Sequence, residues 1–318
     1  MKYFIAGGAG FIGSATAKRL LREDVKNEVV VYDNLSSGNV DLIAGMQNNP
    51  KFKFILGDIT DLAYLTKCMG GCDIVYHFAS NADIAKAIAD PTIDFYQGTL
   101  LTQNILEAMR VNKIKKIVYA SGSGVYGDAG ETVVDENYSP MRPISPYGAS
   151  KLAGEALISA YCHLFDMRGV VYRFANVIGG NSTHGVIRDF VKQLKTDPSK
   201  LEIMGDGNQT KGYMLVEDII QGMICTQWTS RESFDAFNLA PVNQITVLKI
   251  AQMVALRMGL PDAILICSHS PKYTGGWAGD VPVVRMDSQK ARRLGWSPSN
   301  ETHGAVSIAI EETIERIK

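Results

Sequence analysis

Between a short apolar run at the amino terminus and the first helical pattern stands Gly7-Gly8-Ala9-Gly10-Phe11-Ile12-Gly13. No other stretch restricts the fold so tightly. Glycine at 7 permits a tight strand-to-helix turn, and glycine at 10 lets bare backbone approach a pyrophosphate. Glycine at 13 lets the helix pack on the strand. The helix start that follows presents unpaired N–H groups and a positive dipole end to the phosphates, and Phe11 and Ile12 in the turn before it are expected beside the cofactor. Alone, such glycines also suit an ordinary strand–helix turn. Asp33 decides between the two. It closes the next apolar run, EVVVYD, twenty residues after Gly13, where a carboxylate accepts from both ribose hydroxyls of a dinucleotide and repels a 2′-phosphate. NAD is therefore expected rather than NADP. Asp58, after the third apolar run, either reaches toward adenine or caps the turn in Gly-Asp-Ile-Thr-Asp.

The pattern around this fingerprint alternates short apolar runs with longer amphipathic ones. Strands are expected at 2–7, 28–33, 53–56, 72–79 and 116–121, with helices at 13–23 and 100–111. Strands this apolar, separated by helices, form a parallel sheet covered on both faces, and right-handed crossovers make it doubly wound. The class is α/β, Rossmann-type. Pro140–Pro146 interrupts the periodicity, a helix resumes over 147–165, and a strand follows over 169–176. Beyond it Gly179, Gly180, Gly185, Gly205 and Gly207 punctuate shorter segments, with helices at 243–260 and 305–317 and a glycine-rich loop at 272–282. This divides the chain into an NAD-binding domain over 1–176, with 212–240 contributing, and a smaller mixed α/β substrate lobe over 177–211 and 241–318.

Composition narrows the function by exclusion. Of 318 residues, 46% are apolar and 20% charged, enough for a sizeable core in a soluble protein. A net charge of −1 gives no footing for nucleic acid or an anionic membrane. No apolar run reaches the roughly 18–20 residues of a membrane helix, and the first residues show no signal-peptide pattern. The cysteines, at 68, 72, 162, 225 and 267, are scattered and lack a second Cys/His cluster, so reduced thiols, no metal and a cytoplasmic location are expected.

Tyr147-Gly-Ala-Ser-Lys151 opens the helix after the proline segment. A spacing of four puts phenol and ammonium on one face, a turn apart. A phenol with pKa near 10 is a poor base at neutral pH, but an ammonium and a cationic nicotinamide ring both favour phenolate. Tyr147 is then expected to take a hydroxyl proton while hydride leaves for the nicotinamide. A surface ion-pairing motif has the same spacing; the fingerprint upstream argues for the catalytic reading.

Together with Asp33-Asn-Leu-Ser-Ser-Gly38, His77-Phe-Ala79, Val125-Tyr-Gly127 and Arg173-Phe-Ala-Asn-Val177, these motifs resemble the extended short-chain dehydrogenase/reductase family. Within it, the chain is most similar to the UDP-galactose 4-epimerase-like sugar-nucleotide enzymes. Ser182-Thr-His-Gly-Val186, Gly205-Asp-Gly-Asn-Gln209 and Gly276-Trp-Ala-Gly-Asp-Val-Pro282 carry the likeness to the end of the chain. The resemblance implies that Asp33, Asn34, Ser36, Ser37 and Gly38 hold the adenosine ribose and that Asp58 and Ile59 contact adenine. Phe78, Ala79, Ser80, Ser121 and Phe174 join Tyr147 and Lys151 around the rest of the cofactor. On the substrate side it implies Asn176 and Lys211 on the diphosphate, Val186 and Ile187 over the nucleotide, Glu202 and Met204 around uracil, and Asp280 on the nucleoside ribose. It also implies a homodimer paired through the helices at 100–111 and 147–165. The activity implied is epimerisation of a UDP-sugar at C4 through a 4-keto intermediate.

Three departures from the family pattern stand out. The Ser or Thr that relatives place four residues before the tyrosine of Val-Tyr-Gly is Gly122 here, so either Ser121 or Ser123 supplies that hydroxyl or the step proceeds without it; Ser123 is the catalytic candidate. An asparagine common in the preceding helix is Gly98. Trp277 stands where many relatives have a phosphate-binding arginine, leaving Arg188 and Arg285 as candidate replacements. The residues after Gly122 also bear on the reaction. Dehydratases carry Asp-Glu after the catalytic Thr, whereas this chain has Ser123-Gly124.

Overall fold

The computed structural model describes residues 1–81, 83–268 and 279–317. Its centre is a seven-stranded sheet. β1 (Lys2–Ala6), β2 (Glu28–Asp33), β3 (Phe52–Leu56), β4 (Ile74–His77) and β5 (Lys116–Gly122) are joined by strands Arg168–Phe174 and Phe234–Leu239. The order across the sheet is Phe234–Leu239, Arg168–Phe174, β5, β4, β1, β2, β3. β1 pairs in parallel with β2 on one side and β4 on the other. The connections therefore diverge between β1 and β4, the topological switch point at whose carboxyl edge such sheets bind ligands. β1, β2, β4 and β5 are buried almost end to end, as strands covered on both faces must be.

Helices α1 (Phe11–Glu23), α2 (Leu62–Met69), α3 (Leu100–Val111) and α4 (Pro146–Phe165) belong with this sheet. α3 buries Thr102, Ile105, Leu106 and Met109, a single stripe at helical spacing. Ile105 and Leu106 are fully enclosed, worth about 1.5–3 kcal/mol each relative to exposure. A π-helical turn, Phe95–Thr99, leads into it. The first compact unit comprises Met1–Val125, Pro146–Arg173 and Met223–Phe237; the second comprises Tyr126–Ser145, Phe174–Gly222 and Asn238–Lys318.

In the second unit α5 (Val186–Thr196) buries Ile187, Phe190, Val191 and Leu194 in a core shared with Val254, Val306 and Ile310. Strand Lys200–Met204 pairs in parallel with Ile264–Ser268. Its alternation sends Leu201 and Ile203 inward and leaves Lys200, Glu202 and Met204 exposed. Among the described residues no helix is long and apolar enough to cross a membrane.

Several element limits differ from the sequence expectation for local reasons. α1 starts at Phe11 rather than 13, because Gly10 is its extended N-cap and Gly13 lies inside the first turn. The strand expected over 169–176 ends at Phe174, and Asn176–Ile178 forms a separate strand against Tyr213–Leu215. The helix expected from 243 begins at Val247, where the Thr246 side chain accepts from the Lys249 N–H as an N-cap. Most of the loop expected at 272–282, Trp277 included, lies outside the described residues.

Candidate active site

The glycine fingerprint folds as a cradle with no room for side chains. Gly7 has a φ of +75°, and a Cβ there would lie 2.6 Å from the Ala79 backbone nitrogen at the end of β4. A Cβ on Gly13 would collide with the Gly7 carbonyl. The β4 end is itself pinned, since the Phe78 and Ala79 N–H groups both donate to the Ala6 carbonyl, at 2.9 and 3.1 Å. α1 has no side-chain cap and no acidic residue in its first turn, so its amide end stays electropositive. This is a shape and charge that a dinucleotide pyrophosphate fits.

Asp33, at the end of β2, is 8% exposed. The Ala9 N–H donates to its Oδ2 at 2.9 Å and the Leu35 N–H to its Oδ1 at 2.8 Å. Burial raises its pKa and these two bonds oppose the rise. Fixed this way, the carboxylate keeps lone pairs for a diol. Gly38 lies against it: a Cβ there would sit 2.8 Å from Oδ1. The Asn34 amide spans the loop, donating to Asp58 Oδ2 at 2.9 Å and accepting from the Ser36 N–H at 3.0 Å. Burial pushes the Asp58 carboxyl up, but bonds from Thr60 and Asn34 outweigh it and hold the pKa low. The Ile59 side chain packs in the core beside Tyr32 and Leu65, which leaves its backbone as the part able to meet a ligand.

α4 begins at Pro146, a position where a helix needs no N–H. One turn apart on the same face, the Lys151 ammonium lies 5.5 Å from the Tyr147 ring centroid and 5.0 Å from that of Tyr119. It donates to the Ala120 carbonyl at 2.8 Å. The Ser80 hydroxyl hydrogen-bonds the Tyr147 phenol. Burial pushes the Tyr147 phenol up to about 12, the Ser80 bond opposing and Asp94 adding to the rise; the lowering expected with a cationic nicotinamide ring beside it belongs to the NAD-bound protein. Burial also pulls Lys151 down to about 8, against the favourable charges of Asp94 and Glu155. In the protein alone the phenol is therefore protonated at neutral pH.

Ser121 and Ser123, the two candidates for the missing hydroxyl, have different surroundings. Ser121 is buried and donates to Glu155 Oε1 at 2.5 Å. Glu155 in turn receives Arg173 through Nε at 3.0 Å and Nη2 at 2.7 Å. The Ser121 hydroxyl is thus committed to a buried ion pair. Ser123, half-buried in the short turn after β5, is not. Gly122 is not in the left-handed region, and a Cβ there would meet nothing within 4 Å. At Gly98 the reverse holds, since a Cβ would lie 2.6 Å from Ser150 Oγ; the π-turn packs too closely on α4 for the asparagine of relatives.

Sequence reasoning assigned no role to Glu155, Arg173 or Asp94. Glu155 stands four residues after Lys151, so the helical spacing that linked Tyr147 to Lys151 extends to it.

The substrate-side candidates, and Phe174 with them, belong to the second unit. Phe174 is buried, Asn176 half-buried, and the Asn176 N–H donates to the Gly212 carbonyl at 3.1 Å. Val186 and Ile187 open α5 and pack into its core. Glu202 and Met204 point outward, Met204 with 66% of its surface exposed. Lys211 and Asp280 form an ion pair with each other. Burial raises the Asp280 pKa and Lys211 opposes it. Arg285 pairs with Glu131 at 2.6 Å, whereas Arg188 has a buried Nε without a hydrogen-bond partner among the described residues.

Comparison with known proteins gives a consistent picture. The model of the NAD-dependent epimerase/dehydratase family matches residues 3–240. The UDP-glucose 4-epimerase of Mycolicibacterium smegmatis is 29% identical, over 99% of this chain and 98% of its own. A crystal structure of a UDP-galactose 4-epimerase superposes with a TM-score of 0.88 at 33% identity, covering 100% of both chains. A Bacillus cereus UDP-glucuronic acid 4-epimerase, solved with UDP-glucuronic acid and NAD, does so with 0.88 at 27% identity and the same coverage.

Proposed function

Because this chain belongs to the NAD-dependent epimerase/dehydratase family, we propose that it inverts C4 of a nucleotide sugar through a transient 4-keto intermediate. The substrate in this reading is UDP-glucose, UDP-galactose or an N-acetylated analogue. The observation that carries it is the Tyr147–Lys151 pair on α4, followed on the neighbouring loop by Ser123 and Gly124. A dehydratase needs an acid there to expel the C6 hydroxyl, and this loop offers none.

When bound, NAD supplies a hydride acceptor and donor and a positive ring charge. Gly7 to Gly13, Asp33 to Gly38, Asp58, Ile59 and Phe78 to Ser80 would hold it, with Phe174 as a further candidate contact. Tyr147 takes the O4 proton, Ser123 bridges O4 and the phenol, and Lys151 holds the phenolate by its charge. Tyr147 would return the proton to O4 as the inverted product forms. Asn176 and Lys211 bind the diphosphate, Val186, Ile187, Glu202 and Met204 enclose the base, and Asp280 takes the ribose. Incubating the protein with UDP-, dTDP- and GDP-sugars and following anomeric NMR signals tests this. A C4 epimer without free NADH supports it; a 4-keto-6-deoxy product, or no product at all, defeats it.

Gly122→Ser is expected to fold with an unchanged melting temperature, since its Cβ enters open space, and to keep or raise turnover. Ser123→Ala should lose on the order of 10²-fold, the scale of one hydrogen bond to a reacting group. Equal turnover in wild type and Ser123→Ala would remove Ser123 from the mechanism. α3 and α4 leave Val111 58%, Leu164 69% and Phe165 36% exposed, so a cytoplasmic homodimer paired through these helices is the assembly proposed. Light scattering at micromolar concentration should give twice the chain mass; a monomer mass contradicts the pairing.

A further inference from the structure

A carboxylate withdrawn from water is costly unless its charge is met. Asp94 is 1% exposed and opens the π-helical turn that packs against α4. Asn81 Nδ2 donates to its Oδ1 at 3.0 Å, while its Oδ2 is buried with no hydrogen-bond partner among the described residues. One neutral amide does not balance a buried anion, so the balance must come from charge nearby.

The groups facing Asp94 are few. Burial raises the Asp94 pKa and Asp90 on the preceding segment adds to the rise, the Asn81 bond and Lys151 on α4 oppose it, and the Tyr147 phenol feels its field. Lys151 is faced by Asp94, by Glu155 on its own helix, by the rings of Tyr119 and Tyr147, and by His77 on β4. Burial and the Lys151 charge push His77 down to about 3, so it is neutral. Glu155 is already neutralised by the two-pronged Arg173 contact and the Ser121 hydroxyl. Asp94 is left as the carboxylate whose charge is available to the lysine.

We propose that Asp94 is a positioning residue whose buried carboxylate keeps Lys151 an ammonium, and so acts on the Tyr147 proton through it. This rests on the reading of Tyr147 and Lys151 as the proton-handling pair. Magnitudes make the role consequential. With Lys151 lowered to about 8, roughly one molecule in ten is neutral there at pH 7. Loss of an opposing charge worth about one pK unit brings that to about half.

Asp94→Asn keeps the shape and the oxygen that Asn81 binds. In the substrate-free protein, NMR of the Lys151 side chain should show its titration midpoint lowered by about one pH unit or more. The pH profile of kcat should shift with it while KM holds. A folded Asp94→Asn protein with the wild-type Lys151 midpoint overturns the proposal. Should the variant not fold, the Asp94 carboxyl signal of the unmodified protein decides: ionised at pH 7 supports the pairing, protonated refutes it. Absence of turnover on every sugar would sink the proposed function, yet the Lys151 midpoint would still decide the role of Asp94.

Discussion

Tyr147→Phe lowers turnover of the nucleotide sugar at least ~10²-fold and leaves NAD retention within about twofold of wild type. The phenyl ring keeps the packing of the start of α4 and its place beside the Lys151 ammonium. What disappears is the hydroxyl bonded to Ser80, the group proposed to take and return the O4 proton. Because burial pushes this phenol up to about 12 in the protein alone, wild-type turnover should rise with pH on its acidic limb. That limb should vanish in Tyr147→Phe along with the activity. Single-turnover kinetics with NAD bound separate this loss from any change in binding. Wild-type turnover in the variant would end the mechanism, whatever the serines do.

The second large effect falls on stability. Glu155 and Arg173 are each 4% exposed in their side chains and meet at 2.7 Å. Removing one partner of such a pair strands the other charge in the core, a loss of about 3–5 kcal/mol. Glu155→Ala should therefore lower the unfolding free energy by about that much, read from urea titration, and should also free the Ser121 hydroxyl. The exposed pairs Arg19–Glu23 and Lys51–Glu28 serve as controls, since ion pairs in water are worth about 0–1 kcal/mol. If Glu155→Ala costs no more than the controls, the pair is not the clamp described here.

How legible each feature was in the sequence depends on how local its cause is. The turn at Gly7, the carboxylate at the end of β2 and the limits of α3 follow from spacing within a few tens of residues, and each could be read off the chain. The Glu155–Arg173 pair could not. Its halves lie on a helix and a strand, and only the packing of α4 on the sheet brings them together, so nothing local marks Ser121 as occupied. The Tyr147 phenol is a related case: spacing shows the lysine one turn away but not the desolvation that raises the phenol in the protein alone. In the second unit, Lys200–Met204 pairs with Ile264–Ser268 and Val133–Val134 with Arg285–Met286. Those partners are separated by sixty residues or more, beyond what periodicity can detect.

The division of the chain into two compact units has an evolutionary consequence. The glycine turn, Asp33, Ser80, Ser123, Tyr147 and Lys151 belong to one unit, and Phe174, Asn176, Glu202, Met204, Lys211 and Asp280 belong to the other. The strand carrying Glu202 and Met204 keeps its inward Leu201 and Ile203 whatever its outward residues are. Those outward positions can be rewritten without unsettling the hydrophobic core beneath them or the redox apparatus. If Glu202 and Met204 enclose the base as proposed, selection for a new nucleotide acts on a surface nearly uncoupled from folding. One inherited hydride-transfer frame can in this way be passed among enzymes of differing substrate preference.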